Sequence, residues 1–94
     1  MKNDEFNDNI EAHNFEIFVE GQRSFIDYQK EDNIVYLLHT EVPEDQSNNG
    51  IAASLVEKTF EYLEERNLKV VPSCSYVKVF LRRHPEWNRI LADE

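Results

Sequence analysis

Three consecutive segments in the first half of the chain have the hydrophobic patterns of β-strands, with strict alternation in the first and a run rich in Ile, Val, Tyr and Leu in the third. These segments are residues 14–20, 23–30 and 33–40. Two-residue connections, 21–22 and 31–32, separate them and suit tight hairpins. We therefore predict an antiparallel meander. Its third strand is apolar on both faces, so we expect it to be central and covered on both sides.

The second half of the chain changes to a helical period. A polar loop over residues 41–49 comes first. Apolar residues then recur at i, i+3 and i+4 spacing from Ala52 to Leu63. This pattern predicts an amphipathic helix that opens at Gly50 and ends at Asn67.

A short strand and a second helix complete the predicted fold. Residues 68–72 predict a strand parallel to its predecessor, because a helix crosses over between them. Ser73 is the expected N-cap of a helix over residues 74–83, which Pro85 ends. Residues 86–91 add a last helical turn or strand. The predicted class is α/β, with a mixed sheet in which an antiparallel β-meander is followed by α-β-α and one parallel pair.

Length and composition predict one domain. The chain has 94 residues, of which residues 1–13 are polar and acidic and are expected to form a flexible tail before a single domain over residues 14–94. No apolar stretch approaches the roughly 20 residues that span a bilayer, and the N-terminus does not resemble a secretion signal. We expect a cytoplasmic protein with no membrane partner. Its single cysteine, Cys74, excludes an internal disulfide.

The distribution of charge separates two halves of the chain. The net charge of −9 argues against nucleic acid as a partner, because that binding rests on neutralising phosphates. Residues 1–47 hold 3 basic and 12 acidic side chains, whereas residues 48–94 hold 7 of each. An anionic ligand is therefore favoured at the second half and a cationic partner at the first. The acidity also has a simpler interpretation, which is solubility.

Three segments together resemble the GNAT superfamily of N-acetyltransferases, in its short single-domain bacterial branch. They are HTEVP at 39–43, the glycine-opened helix start at 50–52 and VVPSCSYVKVFLRRHPEW at 70–87. The resemblance covers about residues 14–90. It implies acetyl-CoA as co-substrate, with its pyrophosphate on the loop that leads into the central helix. No metal is implied, and the chain has no cysteine pair or His-x-x-x-His spacing.

The family signature, Gln/Arg-x-x-Gly-x-Gly/Ala, matches this chain in part. Gly50 and Ala52 fit, but the Gln/Arg position falls on Ser47, and Gln46 is one residue out of register. Backbone N–H groups supply much of such an anion site and any residue carries them. The expected CoA-binding residues are Thr40, Glu41, Val42, Ser47, Asn48, Asn49, Gly50, Ile51, Ala52, Lys78 and Arg82. Lys78 and Arg82 have an alternative interpretation as part of a solvated helix face.

Three side chains are candidates for the chemistry of acetyl transfer. His39 ends the third strand and suits a general base, although a histidine on an apolar strand is also typical of a packed core. Cys74 is a nucleophile, a neighbour of the CoA sulfur, or a small residue filling a corner. Tyr76 is either the acid that protonates the CoA thiolate or a packed ring.

The acceptor site is expected to be open, because almost nothing lies between the first two strands, where larger family members insert helices. An exposed amine of a protein lysine, a polyamine or a small molecule fits such a site, and the acidic first half suits a cationic acceptor. The alternative is a non-catalytic acyl-CoA-binding or protein-interaction domain on the same fold. We expect a monomer or a weak dimer.

Overall fold

The computed structural model describes residues 5–44 and 50–92, which form one sheet covered by helices. The elements in chain order are β1 (Glu5–Asn9), β2 (Asn14–Val19), β3 (Gln22–Glu31), β4 (Ile34–Glu41), α1 (Ile51–Glu65), β5 (Lys69–Pro72), α2 (Ser75–Arg83) and a 3-10 helix (Pro85–Ile90). The strands lie in the order β1-β2-β3-β4-β5. The first four are antiparallel and β5 is parallel to β4. The predicted mixed α/β sheet is confirmed.

Strand β1 corrects the prediction of a flexible tail over residues 1–13. Glu5–Asn9 pairs along its whole length with β2. The ring of Phe6 lies 6.1 Å from that of Phe15, and Asp8 accepts hydrogen bonds from two tyrosines of later elements. The local sequence of residues 1–13 has little apolar surface to bury, which is why it predicts a tail. This strand is instead held by partners far along the chain. Residues 1–4 lie outside the described part of the chain.

Residues with a left-handed backbone conformation lie at the ends of elements. Glu20 and Gly21, at φ of 54° and 79°, form the turn between β2 and β3, as the twist of a two-residue hairpin requires. Asn67, at φ of 60°, follows α1, and its N–H donates to the Glu64 carbonyl at 3.0 Å. The Leu68 N–H reaches back to the carbonyl of the fifth residue before it at 2.9 Å. This is a Schellman ending, and it confirms the predicted end of the helix.

The helices cover one face of the sheet. The Phe60 ring of α1 contacts Phe80 of α2 and Trp87 of the 3-10 helix, with centroids 5.7 and 5.4 Å apart. The buried residues on the covered face of the sheet are Phe15, Ile17, Ser24, Ile26, Tyr28, Val35, Leu37 and Val70. On β4, Leu38 is 45% exposed. The prediction that this strand is covered on both sides is therefore wrong, since α1 and α2 share one side.

A polar network holds the opposite face of β1, β2 and β3. The Glu16 carboxylate is buried and accepts hydrogen bonds from Arg23 Nε at 2.7 Å, Asn7 Nδ2 at 2.9 Å and Asn9 Nδ2 at 3.4 Å. Arg23 also donates to Asn14 Oδ1 at 2.8 Å. Burial alone would raise the pKa of Glu16, but these hydrogen bonds outweigh it and the pKa is lowered.

Candidate functional site

Strand β5 ends before β4 at one end of the sheet. Their pairing runs from Ile34 opposite Lys69 to Leu37 opposite Pro72, where β5 ends. Strand β4 continues to Glu41, and within residues 5–44 and 50–92 its last four residues have no strand beside them on that side. A strand edge of this kind presents backbone N–H and C=O groups that an extended ligand can bond.

A β-bulge lies in β4 next to the point where β5 ends. Tyr28 pairs with Leu37 but the preceding residue, Asp27, pairs with His39, so Leu38 is the extra residue. A bulge bends its strand and changes the direction of the following side chains.

Cys74 lies beside this end of β4. It is the N-cap residue of α2, with φ −85° and ψ 132°, and its carbonyl accepts the Lys78 N–H at 3.1 Å. The helix therefore begins at Ser75, one residue later than predicted, and Ser73 is not its cap. Cys74 is only 7% exposed, and its Sγ lies 3.2 Å from Thr40 Oγ1, so one of the two groups donates a hydrogen bond to the other.

Thr40, one of the expected CoA-binding residues, contacts Cys74 through its side chain. Its cross-strand partner is Ile26, which is completely buried, so the Thr40 side chain lies on the helix-covered face. The hydroxyl links the free end of β4 to the first turn of α2. Nothing in the sequence indicated this contact, because 34 residues separate Thr40 from Cys74.

His39 lies on the opposite face of β4 from Thr40. Its Nε2 is 2.7 Å from Glu41 Oε1, and both side chains are 60% exposed. Its cross-strand neighbour is Asp27. The structure therefore pairs His39 with Glu41 on the uncovered face, with Asp27 opposite it in the strand register, and does not bring it against Cys74.

The start of α1 carries backbone donors with no intrahelical partner. Gly50, at φ of 74°, is the N-cap residue, and within residues 5–44 and 50–92 no side chain caps the helix and no acidic residue lies in its first turn. The first amides of a helix, here those of Ile51, Ala52 and Ala53, have no intrahelical acceptor. A Cβ on Gly50 would meet no atom of the described chain within 4 Å. This arrangement fits the pyrophosphate of CoA.

Three of the expected CoA-binding residues cannot be placed. Ser47, Asn48 and Asn49 lie in the segment between the described ranges 5–44 and 50–92. Val42, which follows β4, packs partly against the hydrophobic core, and Ile51 is buried at the helix mouth.

The α2 candidates lie on different sides of that helix. Tyr76 is half-buried and packs against the core, and its burial raises the pKa of the phenol despite an opposing effect of Arg83. Lys78 lines an open cavity of about 670 Å³ beside β5, together with Tyr36 and Val71. The same cavity is also lined by Pro72, the last residue of β5, and by Ser73. Arg82 is exposed.

Metal-binding groups and membrane-spanning helices are both absent from the described ranges. Within residues 5–44 and 50–92, no group of three or more His, Cys, Asp or Glu side chains is placed to hold a metal ion. In the same ranges, no helix is long and apolar enough to cross a membrane.

Comparisons with known proteins agree on one family. Residues 14–90 match the family described as GCN5-related N-acetyl-transferase. Protein NATD1 of Homo sapiens and that of Mus musculus are each 35% identical over 52 residues, which cover 55% of this chain and 46% and 47% of those proteins. The chain thus aligns with about half the length of these curated relatives.

A solved structure is similar over the whole fold. The solution structure of a GCN5-like protein from Staphylococcus aureus gives a TM-score of 0.73, covering 100% of this chain and 93% of that one at 24% identity. This likeness concerns the fold. The family match over residues 14–90 shows that the chain belongs to the GCN5-related N-acetyltransferase family, the GNAT superfamily.

Proposed function

We propose that the protein transfers an acetyl group from acetyl-CoA to an amine. The observation that carries this proposal is the position of Cys74 and Thr40 where β4 continues beyond the end of β5. The uncapped start of α1, the helix that follows β4, is the second element of the site. In this family, the first feature suits a thioester and the second suits a pyrophosphate.

The backbone supplies most of the proposed CoA site. Helix amides from Ile51 onward would donate to the pyrophosphate, favoured by the partial positive charge of the helix start. The unpaired edge of β4, from Thr40 into Val42, would bond the pantetheine arm as an additional strand does. Lys78 and Arg82 are the proposed contacts for the remaining phosphates.

The proposed reaction is direct transfer. The neutral amine attacks the thioester carbonyl, a C–N bond forms, the C–S bond breaks and the amine proton leaves to a base. His39 is the proposed base, because Glu41 fixes its imidazole at 2.7 Å on the face open to an acceptor. Tyr76 is the proposed acid for the departing thiolate, since burial keeps its phenol protonated.

Cys74 has two proposed roles that an experiment separates. As a nucleophile it would accept the acetyl group and return it to the amine, giving a covalent acetyl-enzyme. As a neighbour it would only pack beside the CoA sulfur with Thr40. Its low exposure of 7% favours the second role.

The acceptor is proposed to be a cationic amine with an exposed chain, such as a protein lysine or a polyamine. Asp27 and Glu41 lie beside His39 on the uncovered face, and carboxylates there attract an ammonium group before its deprotonation.

The test is an assay of CoA release and of acetylated product with spermidine, a lysine peptide and, as an anionic control, glutamate. We expect transfer to the cationic amines at a higher kcat/KM than to glutamate. His39→Gln should lower kcat by at least about 100-fold, the lower range of general-base catalysis, whereas His84→Gln, an exposed histidine of the 3-10 cap, should not.

Mass spectrometry of the protein after acetyl-CoA addition without an amine separates the two roles of Cys74. An acetyl adduct lost in Cys74→Ala shows the nucleophile, whereas an active Cys74→Ala variant shows the neighbour. CoA binding without transfer to any amine would instead favour the non-catalytic acyl-CoA-binding domain.

A further inference from the structure

A second cavity lies at the end of α1 away from Gly50. It has a volume of about 300 Å³ and is lined by residues of β1, β2, β3 and β4, by Tyr62 and Leu63 of α1, and by Arg66, the residue that follows α1. Since a helix rises about 1.5 Å per residue, roughly 20 Å separate it from the helix start. It is therefore distinct from the proposed CoA site.

The wall of this cavity is aromatic and aliphatic. Phe15 and Tyr28 stack with ring centroids 4.3 Å apart, and Phe15 meets Tyr62 edge-on at 5.7 Å. Leu63 and Leu68 close the helix side. Phe15 and Leu63 are buried and form the floor, so a ring or short hydrocarbon would mainly contact the accessible parts of Tyr62 and Leu68. Such a lining is typical of ligand sites, which are mainly apolar with few polar groups.

The single carboxylate of the lining is already satisfied. Asp8 accepts the Tyr28 hydroxyl at 2.6 Å through one oxygen and the Tyr62 hydroxyl at 2.7 Å through the other. These donors stabilise the negative charge within the wall. Asp8 therefore offers little to a cationic ligand.

Two cations stand at the rim. The Lys30 side chain makes no hydrogen bond or ion pair with the described part of the chain, and both Lys30 and Arg66 line the cavity. The Arg66 guanidinium lies 3.7 Å from the Tyr62 ring centroid, and within the described ranges its nearest carboxylate is the exposed Glu65 at 3.7 Å. Against the one carboxylate of Asp8, these two cations leave the lining with a formal charge of +1 in a chain of net charge −9.

We propose that this cavity binds a small organic carboxylate whose body is a single ring or a short alkyl chain. The apolar body would lie between Tyr62, Ile10 and Leu68, and the carboxylate would face Lys30 and Arg66. A cationic ligand is disfavoured because Arg66 already covers the Tyr62 ring. The volume is at the lower end of the roughly 300–1,000 Å³ of ligand pockets, which limits the ligand to about one ring.

The probe is phenylacetate, compared with its neutral amide and with phenethylammonium, titrated into the full ¹⁵N-labelled chain at low salt. We expect saturable shifts confined to amides around residues 8–10, 28–30 and 62–68. A ligand of this size should bind with a Kd of about millimolar order. The amide and the ammonium should bind at least about 10-fold more weakly, the effect of losing a charge-assisted contact.

Charge variants provide the matched comparison. Lys30→Gln should remove most of the preference for phenylacetate over its amide, and Lys30→Gln with Arg66→Gln should abolish it. Lys78→Gln with Arg82→Gln, which removes the same charge on α2, should leave it unchanged. Equal binding of acid and amide, preference for the ammonium, shifts centred on residues 50–53, or no saturable shift would each overturn the proposal.

Discussion

Asp8 joins the N-terminal strand to the rest of the fold, so Asp8→Ala should destabilise the protein strongly. Its two oxygens accept the hydroxyl groups of Tyr28 and Tyr62 at 2.6 and 2.7 Å. A hydrogen bond to a charged group contributes about 1.5–3 kcal/mol. Both bonds are half-buried beside an open cavity, so the lower end applies to each.

We therefore expect Asp8→Ala to cost about 3 kcal/mol of unfolding free energy. That is a large share of the roughly 5–15 kcal/mol by which domains are stable. At about 4–8 °C per kcal/mol for this size, the loss should be clear in a thermal melt. The assay is urea unfolding followed by circular dichroism, with the denaturant slope checked for two-state behaviour.

A mutant cycle tests the cause. Tyr28→Phe and Tyr62→Phe should each cost about half of the Asp8 effect, and Asp8→Ala added to both should cost less than about 1 kcal/mol more. Glu11→Ala, an exposed carboxylate of the same hairpin, should stay within about 0.5 kcal/mol of wild type. A loss below about 1 kcal/mol for Asp8→Ala, or an equal loss in the double phenylalanine background, would refute the reasoning.

Three further outcomes concern stability. The pKa of Glu16 is lowered in the fold, so its ionised carboxylate stabilises the folded state above the ordinary glutamate pKa of 4.5. This stabilisation is lost as pH falls below that value. In Glu16→Gln, the unfolding free energy should therefore decrease less steeply at acid pH than in wild type. Burial and Asp8 raise the pKa of Tyr28 above its ordinary value of 10.0, so its phenol stays protonated in the fold; wild type should lose stability as pH rises above 10.0, and Tyr28→Phe should lose less. Asn67→Ala should cost about 1 kcal/mol in urea unfolding because its φ is 60°, whereas Asn67→Gly should be close to neutral, and equal costs would contradict the strain argument.

Elements in which a hydrophobic repeat continues over many residues could be predicted from sequence, because the repeat records which side chains are buried. The helix from Gly50 to Asn67 carried both its apolar stripe and an end residue able to adopt positive φ. Strand β1 could not be predicted in this way. It is five residues long, and Phe6 and Asp8 take their partners from β2, β3 and α1.

The candidate site was only partly visible in the sequence for a related reason. A motif marks positions along the chain, so Cys74 and Gly50 could be selected one at a time. The Thr40 contact to Cys74 and the opposite orientation of His39 depend on strand register, including a one-residue bulge at Leu38. The sequence does not show which of two adjacent residues faces the core once a bulge shifts the alternation.

The most direct test of the central proposal is calorimetric titration with acetyl-CoA of wild type, Gly50→Trp and Gly21→Trp. Both glycines have positive φ, 74° and 79°, and open space around a Cβ, so the two variants carry similar strain, but only one stands at the start of α1. Circular dichroism would show that both remain folded. We predict that wild type and Gly21→Trp bind and that Gly50→Trp does not. Equal binding by all three would contradict the helix-start site, and binding by none would contradict acetyl-CoA as the co-substrate.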